Sequence, residues 1–211
     1  MPRSPWKDGF LFVGNQLALD FLNTRPVING EAAELLPDFD AMLRWFRAAD
    51  VLTSREVTEL RQNYGESRKG RGIVHRLQAW RERLRAVLVD WESGHRPPNA
   101  MLEELNCLMA EYPLLTRLRA TNGRLAPELW FRPRTPESLV APIAHSAAML
   151  FATSDRRRVR KCGHCVLHFL DTSKKGTRRW CSMELCGNRF KVAAYAARQR
   201  KSNARRPEDR A

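Results

Sequence analysis

Four cysteines set the chemistry of this 211-residue chain. They stand as Cys162-Gly163-His164-Cys165, then a spacer of fifteen residues, then Cys181-Ser182-Met183-Glu184-Leu185-Cys186. Two close thiol pairs across a short polar loop are the ligand pattern of a tetrahedral zinc site, whose thiolates sit about 2.3 Å from the metal. The two-residue gap folds as a tight knuckle, with Gly163 available for the turn. The four-residue gap brings both sulfurs to one side if Cys186 lies in the first turn of a helix. The alternatives are buried free thiols, two disulfides, or a shell in which His164 or His168 replaces a cysteine. Clustering at this spacing favours metal, and four cysteines already complete a tetrahedron. The expectation is one structural Zn2+ held by Cys162, Cys165, Cys181 and Cys186. A closed four-thiolate shell leaves no position for water or substrate. Nor does the sequence hold a phosphate-cradling glycine loop, a nucleophile elbow or a paired His-Glu metal motif, so no catalytic residue is assigned and the chain reads as a non-enzyme.

These ligands need elements to hold them. Asn188 to Lys201 lacks Pro and Gly and is rich in Ala, Arg, Gln and Lys, which predicts a helix. Leu167–Asp171 and Thr177–Trp180 flank Lys175-Gly176 and read as a hairpin. Knuckle, hairpin and ligand-bearing helix together make a treble-clef-like finger. Four thiolates around zinc carry a formal charge of about −2, which nearby cations and N–H groups must offset. Lys161, Arg178, Arg179 and Arg189 are placed to do so. Gly187 would let the backbone approach the site, and Asn188 would fix the Cys186 turn. On the helix, Phe190, Ala193, Ala194 and Ala197 share a face suited to packing. Asn188, Lys191, Tyr195 and Arg198 share another, whose cations, amide and aromatic ring suit phosphate contact and groove reading. The candidate nucleic-acid contacts are therefore Arg178, Arg179, Asn188, Arg189, Lys191, Tyr195 and Arg198.

The runs Phe169-Leu170-Asp171-Thr172-Ser173, Arg178-Arg179-Trp180-Cys181-Ser182-Met183 and Cys186-Gly187-Asn188-Arg189 resemble the CGNR zinc-finger family. Leu17-Ala18-Leu19-Asp20-Phe21-Leu22-Asn23-Thr24 resembles the start of the ABATE domain that precedes this finger in bacterial proteins. The resemblance implies a stress-responsive transcription regulator with a DNA-binding finger.

Charge agrees with a polyanion partner. The formal net charge is +14, and 17 of the 37 basic but only 4 of the 23 acidic residues lie from Arg156 onward, a net of +13 there against +1 before it. Such asymmetry places nucleic-acid attraction in the C-terminal module. DNA is favoured over RNA only through the resemblance, because phosphate attraction is common to both. An RNA- or ribosome-binding adaptor and a protein-interaction module are the rival readings. The fifth cysteine, Cys107, lies in an apolar helical pattern and reads as a buried free thiol. Cysteine usage fits a reducing cytoplasm. Phe10–Val13 is too short for a signal peptide or membrane span.

Hydrophobic content of 43% over the whole chain supports a real core. The predicted architecture is mainly α with small β-hairpins: a helical sensing or dimerisation domain over 1–155, the zinc finger over 156–201, and a disordered basic tail over 202–211. Phe10–Val13 reads as a short strand. Gln16–Thr24 reads as a helix stopped before Pro26, with Asp20 and Asn23 either lining a pocket or hydrogen-bonding a neighbouring loop. Asp38 caps a helix to Ala49, and Thr53-Ser54-Arg55-Glu56 is a capping box that opens another. Tyr64–Gly72 reads as a loop. Ile73–Glu92 is the longest periodic stretch, with Arg76, Arg81, Arg83 and Arg85 on a solvated face. A small-molecule effector pocket is expected between the Leu17–Thr24 and Ile73–Glu92 helices. Asn99–Glu111 is helical. Leu114–Ala120 and Leu129–Arg132 bracket Asn122-Gly123 as a hairpin, its loop lengthened by Pro127. A last helix starts at Thr135-Pro136, with Pro142 kinking it or moving its start.

Overall fold

A computed structural model describes residues 5–28, 30–121, 123–188, 191–192 and 195–196. Among them the architecture is mainly helical, with four two-stranded antiparallel sheets. Strands β1 (Trp6–Lys7) and β2 (Phe10–Leu11) form a first hairpin that leads into α1 (Leu17–Leu22). A second hairpin, β3 (Val27–Ile28) with β4 (Glu31–Ala32), has no counterpart in the sequence expectations.

Local signals explain the next helices. In α2 (Phe39–Ala48) the Asp38 carboxylate accepts the Ala41 N–H at 2.8 Å, and Met42, Leu43, Trp45 and Phe46 are buried. Helix α3 (Ser54–Tyr64) opens with the Thr53–Glu56 capping box. Only residues 65–67 then separate it from α4 (Arg68–Glu92), so Tyr64–Gly72 is not the long loop expected. The Ser67 hydroxyl accepts the Gly70 N–H at 2.9 Å, and a Cβ on Gly70 would sit 2.3 Å from the Tyr64 carbonyl oxygen. The glycine there serves close helix approach rather than flexibility. One stripe of α4, Ile73, Leu77, Trp80, Leu84, Leu88 and Trp91, is buried as its spacing predicts.

Arg76 and Arg83 are exposed as expected of a solvated face and Arg85 is half-buried, but Arg81 is not solvated. It is 1% exposed and bonds Glu34, Glu82 and the Thr24 hydroxyl. Its guanidinium also lies 6.0 Å from the Phe21 ring centroid. With Phe21 against Trp80 at 6.1 Å, it fills the α1–α4 interface, where the effector pocket was expected. That interface is packed, so the pocket reading fails there.

Helix α5 (Asn99–Glu111) carries Cys107 on its exposed side, not in the core. Strands β5 (Leu115–Thr121) and β6 (Arg124–Trp130) pair with Thr121 opposite Arg124, so two residues close the turn, and Pro127 lies inside the strand opposite Leu118. Pro127 therefore does not lengthen the loop. A 3-10 turn, Pro136–Leu139, precedes α6 (Val140–Thr153). Pro142 falls in the first turn of α6, where N–H groups lack intrahelical acceptors, so it moves the start of the helix without breaking it. No helix among the described residues is long and apolar enough to cross a membrane.

Candidate metal centre

The knuckle is carried by β7 (Val159–Lys161) and β8 (His168–Leu170), with Lys161 opposite His168 and Val159 opposite Leu170. Cys162 donates its N–H to the Leu167 carbonyl at 2.8 Å, closing the turn that holds Cys162 and Cys165. The hairpin expected from Leu167–Asp171 and Thr177–Trp180 does not form. Residues 177–180 make no strand, because the loop is tied instead by side chains. Asp171, fully buried, accepts the Ser173 N–H at 2.9 Å and the Arg178 N–H at 2.8 Å. Burial alone would raise its pKa, but these hydrogen bonds prevail and hold the carboxyl below the usual range. Arg158 donates to the Asp171 and Ser173 carbonyls and Arg160 to that of Gly176.

Cys181 precedes a π-helical turn, Met183–Gly187, which holds Cys186. Ser182 builds that turn. Its hydroxyl accepts the Leu185 N–H at 3.0 Å, and its carbonyl accepts the N–H groups of Cys186 at 3.2 Å and Gly187 at 3.0 Å. This is the bracing role expected of Asn188, which is exposed and helical. A Cβ on Gly187 would meet Met183 Sδ at 2.6 Å, so its close approach is to Met183 rather than to the metal shell.

The four Sγ atoms lie within 4.8 Å of one another. Cys165 and Cys181 are 3.7 Å apart and Cys181 and Cys186 3.5 Å, near the edge of about 3.8 Å for a tetrahedron with 2.3 Å zinc–sulfur bonds. These distances are far beyond the roughly 2.05 Å of a disulfide. Cys162, Cys181 and Cys186 are buried, and Cys165 is half-buried. Crowding splits their proton affinities. The Cys181 thiol bonded to Cys165 pulls the Cys165 pKa down to about 5. The same contact, with burial, pushes Cys181 far up. Burial raises Cys186 to about 12. One thiolate forms readily while Cys181 and Cys186 resist ionisation, so a cation at the centre would favour the thiolate shell. His164 is exposed and His168 belongs to another contact, so the donor set is four sulfurs, which fits one structural zinc ion.

Arg178 turns inward. It donates to the carbonyls of Trp180 at 2.9 Å, Val13 at 3.2 Å and Cys181, and its guanidinium lies 4.2 Å from the Phe169 ring centroid. This places positive charge beside the sulfurs, the offsetting role their chemistry calls for. The Cys181 N–H also reaches Cys162 Sγ at 3.3 Å. Arg179 is exposed, 5.2 Å from the Trp180 ring centroid. Asn188, Lys191 and Tyr195 are helical and exposed. Arg189 and Arg198 lie outside the described residues, as do Phe190, Ala193, Ala194, Ala197 and the tail from 202.

The sequence reading missed how the finger meets the helical part. Val159 and Lys161 face Leu170 and His168 at non-hydrogen-bonded positions, so the N–H and C=O of His168 and Leu170 point outward from β8. Leu170 donates to the Gly14 carbonyl at 2.8 Å and accepts from Asn15 Nδ2 at 2.9 Å. Asn23 Oδ1 accepts the His168 N–H and its Nδ2 donates to the His168 carbonyl, both at 2.9 Å. The Gly14 carbonyl and the side-chain amides of Asn15 and Asn23 thus complete the strand edge as a third strand would. Leu11 and Val13 join the finger's apolar cluster with Leu167 and Phe169. Asp20 accepts the Gly14 N–H at 2.7 Å, and burial raises its pKa to about 7. Of the two roles weighed for Asp20 and Asn23, hydrogen bonding holds. The polar residues in an apolar run were the signal, but their partners lie 145 residues away for Asn23. Beside this edge, His168 Nε2 and Glu92 Oε1 stand 3.6 Å apart and no hydrogen bond forms. Burial lowers His168 to about 4 and raises Glu92 to about 7, so at neutral pH the imidazole is uncharged and the contact is not an ion pair.

No curated protein matches the sequence. Two family models do: ABATE, described as a putative stress-induced transcription regulator, over residues 15–154, and the CGNR zinc finger over residues 158–199. The chain belongs to the ABATE family and carries a CGNR zinc finger with four cysteines arranged for one structural zinc ion.

Proposed function

We propose that this protein is a zinc-dependent, DNA-binding transcription regulator whose finger contacts the duplex. The observation that carries the reading is charge placement. The net +13 beyond residue 155 includes six exposed cations among the described residues: Arg157, Lys161, Lys174, Lys175, Arg179 and Lys191. Such cations bind phosphates and release counterions, giving affinity that falls with salt. Zinc acts as scaffold, since its shell is closed. Lys191 and Tyr195 follow Asn188 at helical spacing and are the residues proposed to meet backbone and base edges, joined by Arg198 from the same sequence pattern and by Arg189 beside the zinc site. Arg178 is left out because its guanidinium serves the fold. The stress-responsive role rests on the family description.

The test is a titration of zinc-loaded protein against a short duplex DNA and a single-stranded RNA of equal length, at fixed and then varied salt. Salt-sensitive duplex binding that is lost on zinc chelation is expected. Tighter RNA binding would favour an RNA- or ribosome-binding adaptor. Binding to neither polymer at low salt would favour a protein-interaction module.

A further inference from the structure

The β5–β6 hairpin has two unlike faces. With Thr121 opposite Arg124 closing a two-residue turn, positions 121 and 124 form a hydrogen-bonded pair and every second pair thereafter is not hydrogen-bonded. Thr116–Leu129, Leu118–Pro127 and Ala120–Leu125 are the non-bonded pairs, and their side chains share one face. That face carries no charge. Leu118 is 73% exposed, Leu125 72% and Leu129 54%. The other face holds Arg117 and Arg119 bonded to Glu128, and Arg117 over the Trp130 ring, and it looks across a cleft to Arg47 and Thr53 of the helical body. Leu118 and Leu125 therefore point outward, while Leu129, at the base of the same face, also lines the clefts toward the helical body.

We propose that this face docks on the same face of a second copy of the chain. Its chemistry selects the occupant. An uncharged surface excludes nucleic acid and acidic peptides, and a second copy presents a matching apolar surface related by a twofold axis near the Leu118–Pro127 pair. Pro127 decides the mode. At a non-bonded position its nitrogen faces the outer edge of β6, where it offers no N–H, so extension of the sheet along that edge is blocked while the face stays open. The six side chains offer a patch of roughly 400–500 Å² per copy, the size of functional patches on monomers. Two copies bury roughly 800–1,000 Å², below a standard specific interface and in the range of weak ones, so the dimer forms reversibly with concentration.

Sedimentation velocity of the zinc-loaded full chain from ~1 to ~100 μM tests this. A monomer–dimer equilibrium is expected for the wild type. Leu118→Glu with Leu125→Glu should weaken it at least ~100-fold, with zinc content and helical circular dichroism retained. Arg124→Glu, beside the turn on the charged face, should leave it within about threefold. A wild type monomeric throughout that range overturns the proposal whatever the variants do. So does a dimer that survives the double leucine replacement, or one that Arg124→Glu disrupts equally.

Discussion

Replacing Asn23 by Ala tests the joint between the finger and the helical part. Asn23 is 1% exposed, and its amide makes both outward hydrogen bonds of His168, itself 2% exposed. Because Lys161 and His168 occupy a non-bonded position of the β7–β8 ladder, His168 has no alternative strand partner for either group. Truncation leaves a buried N–H and a buried C=O, each costing about 1–3 kcal/mol. With partial relaxation the expected loss is about 2–4 kcal/mol, or roughly 4–16 °C in melting temperature for a chain of this size. Asn23→Asp should be no better at pH 7, since it keeps the acceptor for the N–H but sets a carboxylate against the carbonyl.

The assay is urea unfolding of zinc-loaded protein with hydrogen exchange read at His168 and Leu170. Asn23→Ala should lower the midpoint and expose the His168 amide, while the zinc content stays at one per chain. A loss under ~0.5 kcal/mol with the His168 amide still protected would refute the edge-completion reasoning. Loss of zinc at an unchanged midpoint would also refute it, placing the effect in the metal shell.

Chelation of zinc, or Cys181→Ser, should unfold the β7–β8 module and also expose Leu11 and Val13, which share its apolar cluster, while α2–α4 keep their exchange protection; metal analysis should find one zinc per chain before chelation. Lys191→Ala should weaken binding to all duplexes alike and lower the salt slope by about one unit, read by anisotropy titration. Arg178→Ala should instead reduce zinc retention, measured by chelator competition, because it strips the carbonyl contacts at Cys181 and Trp180. Glu92→Gln should change the pH dependence. The Glu92 pKa of about 7 lies above its ordinary 4.5, so stability due to Glu92 is present at low pH and lost as pH rises from about 4.5 to 7; His168, at about 4 against 6.5, acts oppositely. Relative to wild type, the variant should gain about 3 kcal/mol between pH 4.5 and pH 7.5 in urea midpoints, with the similar term of Asp20 cancelling in the difference.

The metal centre was legible because zinc demands residue types, and Cys162, Cys165, Cys181 and Cys186 state those types at a telling spacing. Helix starts at Asp38 and Thr53 were legible for the same reason: a cap needs a particular side chain at a particular place. The joint was not, because the Gly14 carbonyl and the Asn15 and Asn23 amides that complete β8 lie about 150 residues from it in sequence, and no local pattern pairs an amide with so distant a strand. Arg81 was misread because periodicity assigns a charged residue outward, and only the fold reveals that Glu34 waits across the interface. The Tyr64–Gly72 stretch and Pro127 were misread as loop, although Gly70 sits at a close approach to the Tyr64 carbonyl and Pro127 at a position where no ladder hydrogen bond is lost.

The same distinction limits what the charge count predicts. Seventeen basic residues beyond residue 155 set a long-range field that attracts a polyanion. They do not set the number of contacts. Arg158, Arg160 and Arg178 are committed to carbonyls of the finger's own loops, so their guanidinium groups hold the module together. Phosphate contacts must come from cations that stay outward, such as Lys174, Lys175, Arg179 and Lys191. If four of these engage, the salt slope on duplex DNA should be about −3.6 at about 0.9 per contact, well short of what the formal charge suggests. A slope approaching the full charge would mean that residues beyond the described ones, Arg198 to Arg206 among them, supply most of the contacts.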